Sequence, residues 1–210
     1  MKQFRNMIYP YVGWLAVMVV VPMLMILLYA FTTAGNEVTT FRFTLDNFSR
    51  FLTDTVFIDV LKRSMVIAIA TTVICVLLGY PIAYAIAKGN EKSGFFWVML
   101  ITLPTWINML VRTYAWVGIL QDDGLLNSIL GIFGIGPFHM IHTTFAVVLG
   151  MVYNFIPFMI LQIHSSLAKM DKSLIEAAND LGANPVQSFL KVTLPLSLPG
   201  VLSGITLVFL

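Results

Sequence analysis

Read as a succession of apolar and polar positions, the chain divides into long apolar runs joined by short polar stretches. The runs Tyr11–Phe31, Ser64–Ala87, Phe95–Leu120 and Thr143–Ile163 each match the ~20 apolar residues a helix needs to cross a hydrocarbon core. They predict four complete spans. A fifth opens near Pro199 and meets the last residue, Leu210, after only about 12 residues, too few to cross; the sequence therefore reads as ending inside its fifth span. Between the third and fourth runs, Leu125–Ile135 is apolar but short and is bounded by Asp122–Asp123–Gly124 and Gly136–Pro137. That pattern predicts a short helix at the outer surface. Pro22, Pro81, Pro104 and Pro157 place one proline in each full span. Two readings stand: bent helices, since proline removes a backbone donor, or the ordinary abundance of proline in membrane helices.

Composition agrees with a bilayer protein. Hydrophobic residues make up 59% and charged ones 10%, against about 25% charged in soluble domains, and the mean hydropathy is +0.90. The net charge of +2 without a long Lys/Arg run argues against nucleic acid as a partner. The single cysteine, Cys75, sits in an apolar run, so it reads as a small core residue and no disulfide framework exists. Lys2 and Arg5 precede the first apolar run, as in a signal peptide. The run is longer than the about 7–15 residues of a signal core and no small-x-small cleavage site follows, which favours an uncleaved first helix.

With the N-terminus inside, the inner segments carry Lys2, Arg5, Lys88, Lys92, Lys169, Lys172 and Lys191, and the outer ones Arg42, Arg50, Lys62 and Arg63. Seven cations against four favour a cytoplasmic N-terminus. The expected division is residues 1–62, an N-terminal helix with an extracytoplasmic segment, and residues 63–210, a membrane core that includes a cytoplasmic loop over 164–198.

That loop differs from the others. Leu167, Met170, Leu174, Ala178 and Leu181 recur at spacings of three and four, the mark of one helix face. Gly182 supplies a C-terminal stop. Asn184 and Pro185 supply a cap and first-turn proline for a second short helix over Val186–Thr193, which Pro195 should end. Periodicity alone leaves two readings open: a ridge that docks into a groove of a soluble partner, or a helix resting on the membrane surface.

The residues themselves are more specific. Glu176–Ala177–Ala178, three residues, Gly182, nine residues, then Val192-x-Leu194–Pro195 resemble the EAA loop of binding-protein-dependent ABC importer permeases, departing only in Val192 where that family has isoleucine. The segments FTLDNFSRFL, LGYPIAYAIAK, LPTWINMLVRTYAW and SLIEAANDLGANPVQSFLKVTLPLSLPG look like the permease subunits of spermidine/putrescine importers. The resemblance implies an all-α, type I importer transmembrane domain, normally of six spans, in a bacterial inner membrane. It also implies that Glu176, Ala177, Ala178, Gly182, Leu194 and Pro195 couple the chain to ABC ATPase subunits, which bind ATP and Mg while this chain holds no cofactor. A second related permease and an extracytoplasmic substrate-binding protein complete the implied partners, with a small molecule as cargo.

Span three is the most polar. Thr105, Trp106, Asn108, Arg112, Thr113, Tyr114 and Trp116 crowd its second half, and on one helix Thr105, Asn108, Arg112 and Trp116 would share a stripe. One reading makes Thr105, Trp106, Asn108, Arg112, Tyr114 and Trp116 a substrate pathway, with aromatic faces for an ammonium. The other has Arg112 reaching the outer interface and the tryptophans in an aromatic belt. No carboxylate falls inside a predicted span, so acids for a cationic cargo would come from Asp122 and Asp123 at the outer mouth or from elsewhere. His139 and His142 without further ligands read as structural rather than metal-binding. The sequence has no G-x-x-x-x-G-K-[ST] phosphate loop, so the chain reads as a non-enzymatic partner of an ATPase. A secondary transporter or channel would be expected to carry mid-membrane ionisable groups beyond Arg112; a permease for another small solute or ion shares the loop motif and stays open.

Overall fold

In a bilayer every backbone N–H and C=O must find its partner within the protein, and the apolar runs answer with helices. The computed structural model describes residues 2–32, 43–171 and 173–210, with side chains from Ile8 onward and without that of Glu91. The side chains of Lys2 and Arg5, and the residues Arg42 and Lys172, all used in the charge count, lie outside what is described. Among the described residues the only β pairing is one bridge between Thr32 and Phe43. Two compact units divide the chain, Met1–Arg63 and Ser64–Leu210.

In the first unit, α1 (Lys2–Leu15), a π-turn (Ala16–Val20) and α2 (Val21–Ala30) run on as one apolar helix whose spanning part is Ile8–Ala30. None of that stretch is buried within the chain, which in water would be prohibitive and in lipid is the expected state. The π-turn directly precedes Pro22; the wider turn gives the ring room it would lack against a regular helix. At the far end Asn47 Nδ2 lies 3.2 Å from the carbonyls of Tyr29 and Ala30 and 3.0 Å from that of Thr32, to which it can donate. It thereby meets acceptors a helix end leaves unpaired. Asn47 belongs to α3 (Asp46–Thr53), and Phe31 fixes the same corner by stacking on Phe43 and packing on Phe48.

Helix α4 (Thr55–Lys88) starts well before the expected Ser64. The Asp54 carboxylate accepts from Val56 N–H at 2.9 Å, a cap that makes the polar residues Asp59, Lys62 and Arg63 helical too. In the second unit follow α5 (Glu91–Thr102), a 3₁₀ turn (Leu103–Trp106), α6 (Met109–Leu120), α7 (Leu125–Ile132) and α8 (Thr144–Ala168). Then come α9 (Ser173–Asp180), α10 (Pro185–Ser188), a second π-turn (Phe189–Thr193) and α11 (Leu194–Phe209). Among the described residues four helices are long and apolar enough to cross a membrane, and a fifth exists if the bent pair Lys92–Trp106 and Met109–Ile132 counts as one.

Three expectations are corrected. The fifth apolar helix does not open at Pro199: it runs from Pro185 to Phe209, 25 residues, which is spanning length. Pro195 does not end a separate helix, because the π-turn just before it absorbs the proline as the first unit's π-turn absorbs Pro22. The third run is not one helix either. Pro104 sits in the 3₁₀ turn, Ile107 and Asn108 are extended, and the axes on either side meet at 91°.

The core forms where α8 and α11 pack along each other and against α4. Small residues make this possible, since lipid gives helices little hydrophobic reason to associate and close backbone approach must supply the contact. Met159, fully buried, lies over Gly79 of α4 and Gly204 of α11. Cys75 is buried among these helices, its Sγ 3.9 Å from the Val152 carbonyl. Outside the core, the loop after α6 is tied by one buried side chain. Asn127 Nδ2 donates to the carbonyls of Gln121 (3.2 Å) and Phe138 (2.9 Å), while its Oδ1 accepts from Phe138 N–H at 3.0 Å.

Candidate functional site

The helix–turn–helix over the predicted cytoplasmic loop is built as its sequence suggests. Helix α9 ends on Gly182, whose φ of +83° is left-handed. Gly182 N–H donates to Asn179 C=O (2.9 Å) and Ala183 N–H to Ala178 C=O (3.0 Å), the paired bonds that close a helix through a glycine. Asn184 then opens α10 with a reciprocal cap: its Oδ1 accepts from Gln187 N–H (2.8 Å), and Gln187 Oε1 accepts from Asn184 N–H (3.0 Å). The turn is therefore fixed by local hydrogen bonds of its backbone and of the Asn184 and Gln187 side chains.

Glu176 and Ala177 are exposed and Ala178 half-buried. Leu181 (89% exposed), Val186 (64%) and Leu174 (45%) surround them with apolar surface. The ridge differs in its membership from the periodic one. Leu167 is buried in α8 and Met170 falls in the break before α9, because the helix does not continue through residues 169–171. Leu194 and Pro195 sit apart from the exposed ridge, in the first turn of α11 just beyond the π-turn. Helix α9 packs on that π-turn, so the two halves of the motif touch through it.

The stripe in the third run is not assembled. The break at Ile107–Asn108 removes Thr105 from the helix that carries Arg112; the Thr105 hydroxyl donates locally to Thr102 C=O. Asn108 caps α6, accepting from Leu110 N–H at 2.8 Å. Trp106 and Tyr114 are 84% and 74% exposed. Only Arg112 and Trp116 share a face, one turn apart and toward α8, where Trp116 meets Tyr153 edge-on at 5.3 Å between ring centres. Arg112 Nε and Asn154 Oδ1 are buried without a hydrogen-bond partner among the described residues. Asn154 was missed in the sequence, although an amide within an otherwise apolar membrane run is itself a signal.

A groove of about 560 Å³ runs between α4, α5 and α8, walled by Ile82, Trp97, Leu100, Tyr153, Pro157 and Ile160 among others. Among the described residues no carboxylate lines it, so a desolvated ammonium would find no counter-charge among them. In the loop after α6, Asp122 pairs with His139 Nδ1 at 3.0 Å, both groups exposed; such a surface pair contributes little to stability.

Residues 79–210 match the family model described as binding-protein-dependent transport system inner membrane component. The Spermidine/putrescine transport system permease protein PotB of Salmonella typhimurium is 39% identical over 100% of this chain and 74% of its own length. The PotB of Escherichia coli K12 is 39% identical over 97% of this chain and 75% of its own. The inner membrane ABC transporter permease protein YdcU of the same organism is 32% identical over 70% of this chain and 51% of its own. Among solved structures, a bacterial ABC transporter involved in the import of the acidic polysaccharide alginate superposes with a TM-score of 0.74, at 18% identity, over 99% of this chain and 72% of that one. The same kind of transporter, in complex with an alginate pentasaccharide-bound periplasmic protein, gives 0.71 over 95% and 68%. This polytopic, all-helical chain belongs to the family of inner membrane components of binding-protein-dependent transport systems, the membrane permeases of ABC importers.

Proposed function

We propose that the chain is the permease of a polyamine importer, contributing half of the path for spermidine or putrescine. The observation that carries this reading is the 39% identity along the whole chain to proteins named for that transport. The α9 turn, with Glu176 on an exposed apolar ridge, docks an ABC ATPase subunit; ATP and Mg bind there and not to this chain. A second, related permease supplies the other half of the path, and an extracytoplasmic binding protein delivers the cargo. The N-terminus lies in the cytoplasm, so that α9 and α10 face the ATPase.

Transport follows alternating access. ATP-driven closure of the ATPase pair moves α9, and the helices behind it reopen the path from one side to the other. Arg112 and Trp116 line this path beside Tyr153 and Asn154, and the unpartnered Arg112 Nε and Asn154 Oδ1 are supplied with partners by cargo, water or the second permease. Arg112 repels a dication, and so acts as a brake on binding rather than as its site. The carboxylates that hold the cargo come from Asp122 and Asp123 at the mouth and from the partner chains.

The test reconstitutes the complete transporter in liposomes and measures ATP hydrolysis with the binding protein loaded or empty. Spermidine or putrescine should stimulate the wild type, and Glu176→Arg should lose both stimulation and retention of the ATPase during purification. Stimulation by other solutes alone would reassign the cargo; a Glu176→Arg variant that couples normally would remove the docking role.

A further inference from the structure

Behind the docking ridge lies a continuous set of contacts leading into the membrane. Ser188, the last residue of α10, is 4% exposed, and its hydroxyl donates to Asn179 Oδ1 in the last turn of α9 at 2.8 Å. The next residue, Phe189, begins the π-turn. Its carbonyl accepts from Leu194 N–H, five residues on, where a regular helix would use the fourth. The Phe189 ring is met edge-on by Tyr84 (5.3 Å) and by Tyr80 (5.8 Å), one turn apart on α4. Tyr80 Oη in turn shares a 2.8 Å hydrogen bond with Ser197 Oγ of α11, and Ser197 is 1% exposed.

We propose that Ser188, Phe189 and Tyr80 are positioning residues of the transport cycle: the Asn179–Ser188 bond and the Phe189 wedge carry displacement of α9 to α4 and α11 through the π-turn. The inference rests on the docking role given to α9 above. Three features of the structure make the link mechanical rather than merely adjacent. A hydroxyl donor this buried has no water to turn to, so it follows Asn179 or loses its bond at a cost. A ring seated between two aromatic edges transmits displacement in preference to sliding, because well-packed interiors have few intermediate arrangements. The π-turn is one residue out of step with the helix on either side, so it can tighten or migrate while α11 stays helical.

The experiment uses the reconstituted transporter and reads polyamine uptake per ATP hydrolysed, together with retention of the ATPase subunit. Ser188→Ala and Phe189→Leu should keep the ATPase bound and hydrolysing, while uptake per ATP falls by ~2- to 30-fold, the range for changes within coupled networks. The double variant should lose less than the product of the two single losses, as expected when both act on one link. Ser188→Thr, which keeps the hydroxyl, should restore the ratio, and Tyr80→Phe, which keeps the ring edge but gives up the bond to Ser197, should lower it less than Tyr80→Leu. A wild-type ratio in Ser188→Ala and Phe189→Leu overturns the link while leaving the docking role intact, provided Glu176→Arg still uncouples. A Glu176→Arg variant with normal coupling overturns the docking role itself. Should Ser188→Ala or Tyr80→Leu fail to assemble, Phe189→Leu and Tyr80→Phe decide the question in the same assay, a wild-type ratio in both again overturning the link.

Discussion

A close approach of α8 and α11 sets a sharp test at Gly200. A methyl placed on this residue would lie 2.5 Å from Ser166 Cβ, 2.7 Å from the Gln162 carbonyl oxygen and 3.2 Å from Ser166 Oγ. Carbon contacts are comfortable at ~3.5–4.0 Å, so the shortfall is about 1 Å against Cβ and backbone, and neither can rotate away. Helices α8 and α11 would have to separate along their shared face. Overpacking of this kind costs about 1–3 kcal/mol, and the loss of close approach adds to it because lipid supplies no compensating drive. Gly150, in the same α8, is the control: nothing lies within 4 Å of the methyl it would gain, so alanine there should be neutral or stabilise the helix by up to ~1 kcal/mol. Fluorescently tagged permease in detergent, heated and then resolved by size, gives the fraction still monodisperse at each temperature. Gly200→Ala should shift that curve down and Gly150→Ala should not. A Gly200→Ala curve on top of wild type would refute the packing argument for α8 and α11.

Two further predictions concern the docking turn. Gly182 holds φ +83° with open space around its Cα, so the penalty of Gly182→Ala is purely backbone, about 1–2 kcal/mol; amide exchange in α9 should accelerate, and Gly182→Asn should accelerate it less. Asp171 accepts from Ser173 N–H at 2.9 Å, and that backbone bond, with a smaller contribution from the Ser173 side chain, lowers its pKa below the ordinary carboxylate range. A depressed folded pKa means that the stabilisation is present above the unfolded value and disappears as pH falls through the folded one. Protection of the amides at the start of α9, taken relative to their intrinsic exchange rate at each pH, should therefore fall on acidification through and below the usual carboxylate range, and Asp171→Asn should flatten that dependence; an unchanged profile in the variant would show that the Ser173 bond has no part in it.

Much of the architecture was legible because membrane helices announce themselves by run length, and the docking turn because its punctuation is chemical. Gly182, Asn184 and Pro185 each have one strongly preferred place, and each occupies it. Other elements failed where two signals competed. Hydropathy averaged along the third run continued the helix through residues 103–108, where Pro104 sits in a 3₁₀ turn and Asn108 caps the next helix. Pro195 was read as a terminator because a π-turn has no sequence signature to announce that the helix can accommodate the ring. The early start of α4 hangs on Asp54, a cap in a polar stretch where hydropathy has nothing to say. The contacts of Phe189 with Tyr80 and Tyr84, and of Tyr80 with Ser197, were illegible for a different reason: they join residues more than a hundred positions apart, and only folding brings them to one place.

Asn127 shows how narrowly an outer surface can be specified. Its amide nitrogen faces two carbonyl oxygens and its amide oxygen faces one N–H, so both hydrogens on that nitrogen are committed to holding Gln121 and Phe138 across the loop. Exchange for aspartate would alter the outline by almost nothing and keep the single acceptor in place. It would also turn the two donating contacts into lone pairs pointed at lone pairs, in a site only 6% exposed. The shape of this loop therefore depends on the identity of one atom, and hydrolysis of that amide, which changes neither size nor sequence length, would be enough to open it.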